Sequence, residues 1–217
     1  MNKKEQFVIT INRELGSGGR TVGEKLAKKL EVPFYDKAVV KALTKELNLT
    51  VEEIERLKGK KEHWWTDFQR RLVPFYDTAR LQYYQINEIG EPEVLTSADL
   101  FRTESKILSD IGEKESCIIA GRSGFFIFRD HPNHLSILIQ APVECRIQRV
   151  MEKQSLSREQ ALKDIKRVDK WRENYIKKYT NTSRYDTRNY DLVINMAGLS
   201  EDDAVSIILD YIEKSNH

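Results

Sequence analysis

The sequence predicts a three-layer α/β fold in which helices cover both faces of a parallel β-sheet. Five apolar segments rich in β-branched residues alternate with helical patterns, which is typical of parallel strands joined by helical crossovers. The length of 217 residues suits one such core carrying inserted elements. A glycine cluster directly after the first apolar segment lies where such sheets bind ligands, beyond the carboxyl ends of the strands.

The first predicted unit is a strand, a loop and a helix. Residues 7–11 form a β-branched run, glycines follow within 16–19, and apolar residues at helical spacing run from 22 to 30. Residues 33–35 predict a short second strand, and Asp36 is placed to cap the helix that follows it.

Residues 62–90 concentrate aromatic side chains in a largely helical pattern. Two interpretations stay open for them. They pack in a core or a homodimer interface, or they form a wall on which a nucleotide base stacks. The aromatic residues are Trp64, Trp65, Phe68, Phe75, Tyr76, Tyr83 and Tyr84.

The second half of the chain predicts the remaining strands and helices. Its strands are strongly apolar, as buried parallel strands are, and its helical patterns are amphipathic. The predicted strands are 116–120, 135–140 and 190–195, and the predicted helices are about 98–111, 142–154, 157–180 and 200–214.

Charge and composition exclude several classes of function. The net charge of +2 comes from 36 basic and 34 acidic side chains, so we expect no nucleic-acid partner. Apolar runs fall short of the roughly 18 residues that span a membrane, and the first residues hold no signal-peptide core. We therefore expect a cytoplasmic protein with no membrane partner. Cys117 and Cys145 lie in apolar stretches and are expected to be buried, which leaves no cysteine-based zinc site.

The loop from Arg13 to Thr21 predicts a phosphate-binding site. Its glycines allow backbone N–H groups to converge on phosphate oxygens, and the following helix N-terminus adds partial positive charge. Against the pattern G-x-x-x-x-G-K-[ST], Glu14 replaces the first glycine and Arg20 replaces the lysine. Arginine keeps the charge and can bind two oxygens. A glycine-rich turn without a ligand is the alternative interpretation.

Two further basic features follow the glycine loop in the chain. Arg122 comes directly after the strand at 116–120, so it is either a phosphate-binding group in the same crevice or a surface salt-bridge residue. Residues 158–190 contain ten basic and five acidic side chains. That segment is either a solvated helix face or a lid whose arginines close over transferring phosphates.

In the order and content of these motifs, the sequence resembles the cytidylate kinase-like branch of the P-loop nucleoside monophosphate kinases. An arginine in place of the loop lysine is itself usual in this branch. The resemblance implies one P-loop kinase domain over 1–217, with a five-stranded parallel sheet, a helical acceptor-binding insert at about 38–113 and a basic lid at about 155–190. The blocks that carry it are Ile9–Arg20, Pro33–Lys37, Ile118–Arg122, Gln140–Arg146, Asp169–Tyr175 and Asn189–Asn195.

The resemblance also implies ATP and Mg²⁺ as cofactors and assigns the site residues. Those implied to hold ATP are Gly16, Ser17, Gly18, Gly19, Arg20 and Thr21, with Arg146 against the donor adenine or the lid. Those implied to hold Mg²⁺, directly or through water, are Thr21 and Asp36. Those implied to bind the acceptor are Asp36, Lys37, Arg122, Asp169 and Arg172. The implied catalytic residues are Arg20, Arg122, Asp169 and Arg172.

The predicted function is transfer of the ATP γ-phosphoryl group to a nucleoside monophosphate, with CMP or dCMP as the first expectation. Lys37 stands where classical cytidylate kinases have a serine, and the aromatic segment replaces the usual acceptor-binding subdomain. Glu14 in the loop and this altered acceptor region therefore leave two alternatives open. One is a nucleotide-binding regulatory or interaction protein without turnover, and the other is a kinase of a non-nucleotide small molecule.

Overall fold

The structure is a computed structural model that describes residues 1–36 and 97–215. The helices predicted between 38 and 96, the aromatic residues of 62–90 and Lys37 lie outside the described residues. The described strands are β1 (Val8–Arg13), β2 (Phe34–Tyr35), β3 (Cys117–Ala120), β4 (His134–Gln140) and β5 (Leu192–Asn195). The described α-helices are α1 (Gly19–Leu30), α2 (Ser97–Gly112), α3 (Gly124–Ile127), α4 (Val143–Gln154), α5 (Arg158–Thr180) and α6 (Glu201–Lys214).

The five strands form one parallel sheet in the order β2-β3-β1-β4-β5. β1 lies in the centre, with Ile9 opposite Ile118 of β3 and Leu135 of β4. Every residue of β1 and β3 is buried, and β3 is a continuous apolar run, as expected for strands covered on both faces. The parallel sheet predicted from the sequence is confirmed.

Helices pack on both faces of this sheet. On one face, Val22 and Leu26 of α1 and Ile208 of α6 join Ile9 and Ile137 in the main apolar cluster. On the opposite face, the methyl of Thr10 packs against Gly124 of α3, so closely that a Cβ on that glycine would lie 2.9 Å from it.

The chain divides into two compact units. The first comprises Met1–Tyr35 with Ser109–His217 and contains the whole sheet, and the second comprises Asp36–Leu108. All side chains discussed below belong to the first unit, apart from Asp36, which directly follows β2 and is buried. Among the described helices, none has an apolar stretch long enough to cross a membrane.

One expectation from the sequence is wrong. Cys117 is buried in β3, but Cys145 is exposed on α4. The residues of α4 that face inward are Arg146, Ile147 and Val150, so the helix turns the neighbouring Cys145 outward.

Candidate functional site

The loop between β1 and α1 has the backbone of a phosphate-binding turn. Gly16 and Gly18 adopt φ angles of 82° and 85°, which favour glycine. A Cβ on Gly16 would lie 2.7 Å from the carbonyl oxygen of Arg146, so no side chain fits there. The Ser17 hydroxyl donates to the carbonyl of Glu14 at 3.0 Å and tightens the turn.

The N-terminus of α1 is open toward an anion. Gly18 is the N-cap residue, no side chain caps the helix, and its first turn contains no acidic residue. The helix dipole and the backbone N–H groups of the first turn therefore favour a bound anion at this end. Arg20 lies in this turn and pairs with Glu24 at 3.1 Å. The Thr21 hydroxyl accepts from the ammonium of Lys153 at 3.4 Å.

Arg146 of α4 holds the loop from beneath. Its guanidinium is buried, and each of its three nitrogens has a partner. Nε donates to the carbonyl of Leu15 at 2.9 Å, one terminal nitrogen pairs with Glu14 at 3.0 Å, and the other pairs with Asp169 of α5. Glu14 also accepts from the Ala141 N–H at 3.1 Å. Glu14, which replaces the first glycine of the phosphate-binding pattern, therefore anchors the loop to the end of β4 and to α4.

Asp169 connects the same loop to α5. One of its oxygens accepts from the backbone N–H of Leu15 at 3.0 Å, and the other binds Arg146. It also lies 3.8 Å from terminal nitrogens of both Arg172 and Arg184. A single buried carboxylate thus lies among three guanidinium groups, which is the kind of pairing a buried charge requires.

Two arginines from the basic segment meet the carboxyl end of β1. Arg172 donates to the carbonyl of Arg13 at 3.2 Å, and Arg184 donates to the same carbonyl and to Asn12. Arg184 is fully buried, and its Nε and Nη1 have no hydrogen-bond partner in the described part of the chain. Tyr190 fixes its backbone by donating to the Arg184 carbonyl at 2.7 Å.

Arg122 lies at the carboxyl end of β3, beside β1. Gly121, Arg122 and Ser123 have φ angles of 79°, 53° and 57°. A left-handed backbone at non-glycine residues is costly, and such strain is concentrated at functional sites. The Gly121 N–H donates to the carbonyl of Ile11 at 2.9 Å, which fixes the turn against β1. The Arg122 guanidinium lies 5.8 Å from the ring centre of Tyr175 on α5.

Arg149 of α4 is a site residue that the sequence analysis missed. It lies one turn after Arg146 and pairs with Glu201 at the start of α6 at 2.7 Å. A Cβ on Gly18 would collide with its guanidinium, so the arginine lies against the loop. Arg184 was also missed as an individual residue and counted only as part of the basic segment. Arg149 could have been found from its spacing, because it follows Arg146 by three residues and so lies on the same side of the helix.

The structure therefore brings most of the predicted site residues together. The loop residues, Arg122, Asp169 and Arg172 all lie at the carboxyl ends of β1 and β3. Asp36 follows β2, and Lys37 lies outside the described residues. In the described ranges no cluster of three or more His, Cys, Asp or Glu residues could hold a metal ion by itself. Of the two residues predicted to hold Mg²⁺, Thr21 belongs to the first unit and Asp36 to the second.

Comparison with known proteins identifies the family. The model of the cytidylate kinase-like family matches residues 8–198, which is most of the chain. This chain belongs to the cytidylate kinase-like family. Its fold and family are those of a phosphotransferase of the kinase type.

Individual relatives are distant in sequence. A cytidylate kinase of Sulfolobus acidocaldarius is 24% identical over 96% of this chain and 95% of its own length. An uncharacterized protein from Eubacterium ventriosum is 27% identical, with a TM-score of 0.64 over 96% of this chain and 99% of that one. A shikimate kinase from Bacteroides thetaiotaomicron, 14% identical, has a TM-score of 0.51 over 95% of this chain and 98% of that one, which confirms the P-loop kinase fold.

Proposed function

We propose that this protein transfers the γ-phosphoryl group of ATP to a nucleoside monophosphate, with CMP or dCMP as the acceptor. The observation that carries the proposal is that the uncapped α1 N-terminus, Arg122 and Arg172 all lie at the carboxyl ends of adjacent strands. Backbone N–H groups and guanidinium groups are what stabilise a transferring phosphoryl group. The family and the cytidylate kinase relatives support a nucleotide acceptor.

The loop residues and Arg20 would hold the phosphates of ATP. Thr21 and Asp36 would be the protein ligands of Mg²⁺, which when bound neutralises charge on the outer phosphates. Arg122 would bind the acceptor phosphate, and Arg172 would lie between the two substrates. Transfer then needs an in-line arrangement and charge stabilisation, with no covalent intermediate on the protein.

Two of the roles implied by the resemblance are constrained by the geometry. Asp169 already accepts from Leu15 and Arg146, but a carboxylate has about four acceptor positions. A sugar hydroxyl of the acceptor could therefore be an additional partner of Asp169. The N–H groups of Arg146 are directed to Glu14, Leu15 and Asp169, so a contact with adenine would have to use the flat face of its guanidinium.

The direct test is product analysis with Mg·ATP and each of CMP, dCMP, UMP, AMP and GMP. We expect diphosphate from CMP or dCMP. Arg172→Met should lower turnover strongly, whereas Arg158→Met, an exposed arginine at the start of the same helix, should leave it unchanged. Absence of product from every acceptor, with ATP bound normally, would contradict the proposal.

That negative outcome would favour a nucleotide-binding protein without turnover. The glutamate in place of the first loop glycine is one reason for that alternative. Glu14 binds Ala141 and Arg146 beneath the loop, so this departure has a structural explanation and does not by itself argue against turnover.

A further inference from the structure

Two arginines of the basic segment share the same two acceptors at the carboxyl end of β1. Arg172 and Arg184 both donate to the backbone carbonyl of Arg13, Arg172 at 3.2 Å. A terminal nitrogen of each arginine also lies 3.8 Å from one and the same oxygen of Asp169. That oxygen already accepts from the Leu15 N–H at 3.0 Å. Two guanidinium charges therefore meet at acceptors that they share with each other.

The charges in this cluster are unequal in number. Arg146, Arg172 and Arg184 supply three guanidinium groups, whereas Glu14 and Asp169 supply two carboxylates. Arg146 forms the close ion pairs with both carboxylates, so Arg172 and Arg184 share what is left of Asp169. Like charges repel more strongly where water is excluded, because the effective dielectric constant is lower there. These five side chains therefore favour one further anion beside them.

Arg184 is the member of the cluster that has unused donors. Its side chain is fully buried, and its Nε and Nη1 have no hydrogen-bond partner in the described part of the chain. Glu173 accepts from the backbone N–H of Arg184 at 3.1 Å, so this carboxylate serves the main chain and not the guanidinium. Leaving the N–H groups of a buried guanidinium without acceptors costs free energy, which an anionic oxygen recovers. The unused donors therefore indicate an anionic ligand.

We propose that Arg184 joins Arg172 in a two-arginine clamp that binds a phosphate group of ATP or of the acceptor. The inference rests on the proposed function for the identity of the anion. It goes beyond that function because the resemblance to the family implies no role for Arg184. The clamp lies at the start of the glycine loop, since the Asp169 oxygen beside it binds the Leu15 N–H. Guanidinium groups present fixed sets of N–H donors that match phosphate oxygens.

The ring of Tyr185 lies over the Arg184 guanidinium. The ring centre is 5.2 Å from the guanidinium carbon, and 40% of Tyr185 is exposed whereas Arg184 is fully buried. We expect a phosphate to reach Arg184 by displacing this ring. A charge-assisted hydrogen bond contributes more than a cation–π contact at an exposed position, so the exchange is favourable.

Stability separates this role from a structural one. The Arg13 carbonyl keeps Arg172 as a donor when Arg184 is replaced, and the Asn12 side-chain oxygen keeps the Arg13 N–H at 3.0 Å. Arg184→Met therefore leaves neither acceptor without a hydrogen bond, and it removes a buried charge. Removing a group on which a buried charge depends lowers the Tm of a chain of this size by about 6 °C or more. We expect a smaller decrease for ligand-free Arg184→Met. A larger one, or failure to fold, would overturn the inference by making Arg184 a structural anchor of β1.

Equilibrium binding and turnover test the clamp itself. The dissociation constants of ATP and of CMP are measured separately by calorimetry, and kcat is measured with both substrates. The variants are Arg184→Met, Arg184→Lys and Arg188→Met. Arg188 is the matched control, because it lies in the same segment but its side chain is 88% exposed and pairs with Asp186. Its replacement should leave all three quantities unchanged.

The affected quantity identifies the phosphate that Arg184 binds. Loss of its charge-assisted hydrogen bonds should raise the dissociation constant of ATP or of CMP about 10- to 100-fold. If Arg184 binds only the phosphoryl group in transfer, kcat should fall by that factor while both dissociation constants stay unchanged. Arg184→Lys keeps the charge with fewer donors, so its loss should lie between those of Arg184→Met and the wild type.

The inference is overturned if folded Arg184→Met matches the wild type in both dissociation constants and in kcat. Its failure is distinguishable from failure of the proposed function, because binding of ATP needs no turnover. A wild type that binds ATP but phosphorylates no monophosphate would contradict the proposed function. Weaker binding of ATP by Arg184→Met would then still support the clamp, and unchanged affinities for ATP and CMP would overturn it as well.

Discussion

Replacing Arg146 by methionine should destabilise the protein more than any other single arginine change considered above. The substitution preserves much of the side-chain volume but removes the guanidinium from between Glu14 and Asp169, whose side chains are almost entirely buried. It also leaves the Leu15 carbonyl without its side-chain donor. Removing one partner of a buried ion pair costs about 3 to 5 kcal/mol, because the remaining charge stays buried.

That cost should be visible in thermal unfolding. For a chain of this size it corresponds to a decrease in Tm of about 6 to 20 °C. Circular dichroism melts and urea titrations of Arg146→Met measure it, with Arg158→Met as the control. Arg158 and Glu144 form a solvent-exposed ion pair, so replacing Arg158 should hardly change Tm. Arg146→Lys should fall in between, since lysine keeps the charge but cannot engage three groups at once.

A double variant tests the cause of the effect. If the cost comes from unpaired buried carboxylates, Arg146→Met combined with Asp169→Asn should be less destabilised than the sum of the two single changes. A Tm for Arg146→Met within about 2 °C of the wild type would refute the reasoning. For a chain of this size, a change of about 2 °C corresponds to a loss of about 1 kcal/mol or less. Additive effects in the double variant would show that the two side chains do not act as a pair.

Three further predictions follow from single features of the structure. Gly16→Ala should raise the KM of ATP at least about tenfold, because a Cβ would meet the Arg146 carbonyl at 2.7 Å. Gly198→Ala is the control, since Gly198 has a similar φ of 72° but open space around it. That substitution adds the backbone strain alone and should leave the KM of ATP unchanged. Burial lowers the pKa of His134 from 6.5 to about 4. The unfolded chain then binds more protons between those values, so the free energy of unfolding should fall by up to about 3 kcal/mol as pH drops from 6.5 to 4. Urea titrations across that range should show the fall, and His134→Gln should flatten it. Burial raises the pKa of the Cys117 thiol, so a thiol reagent should label exposed Cys145 in the folded protein and Cys117 only after unfolding.

The sheet could be predicted from the sequence because its strands are buried on both faces. Strongly apolar runs such as 117–120 and 135–139 are typical of strands covered by helices on both faces. The prediction ended β1 at Ile11, two residues early, since Asn12 and Arg13 are polar. They continue the strand because Asn12 pairs with Arg184 and Tyr190, and those partners come from more than 170 residues away.

The candidate site could be predicted only in part, for the same reason. Glycines and lone arginines at strand ends are visible in a sequence, and Arg122 and the loop were found that way. Arg146 has the appearance of an exposed helix residue beside an apolar Cys145, yet the arginine is buried and the cysteine is exposed. The arginine is buried because its guanidinium pairs with two carboxylates, Glu14 and Asp169. Hydrophobic periodicity contains no information about that long-range pairing.

The two stripes of α5 have separable consequences for catalysis. The buried stripe, which includes Asp169 and Ile176, binds the backbone of the glycine loop at Leu15, whereas Tyr175, on the stripe that also contains Trp171 and Tyr179, lies beside Arg122. Asp169→Asn should therefore lower stability and raise the KM of both substrates, because the proposed function gives this carboxylate both the donor loop and the acceptor sugar. Replacement of Tyr175 should act on the KM of the acceptor through Arg122. Arg172 lies between them, bound to the Arg13 carbonyl and near Asp169. Under the proposed function it is the position on this helix where a substitution should lower kcat itself, because an arginine that would touch both substrates would stabilise the charge that passes between them.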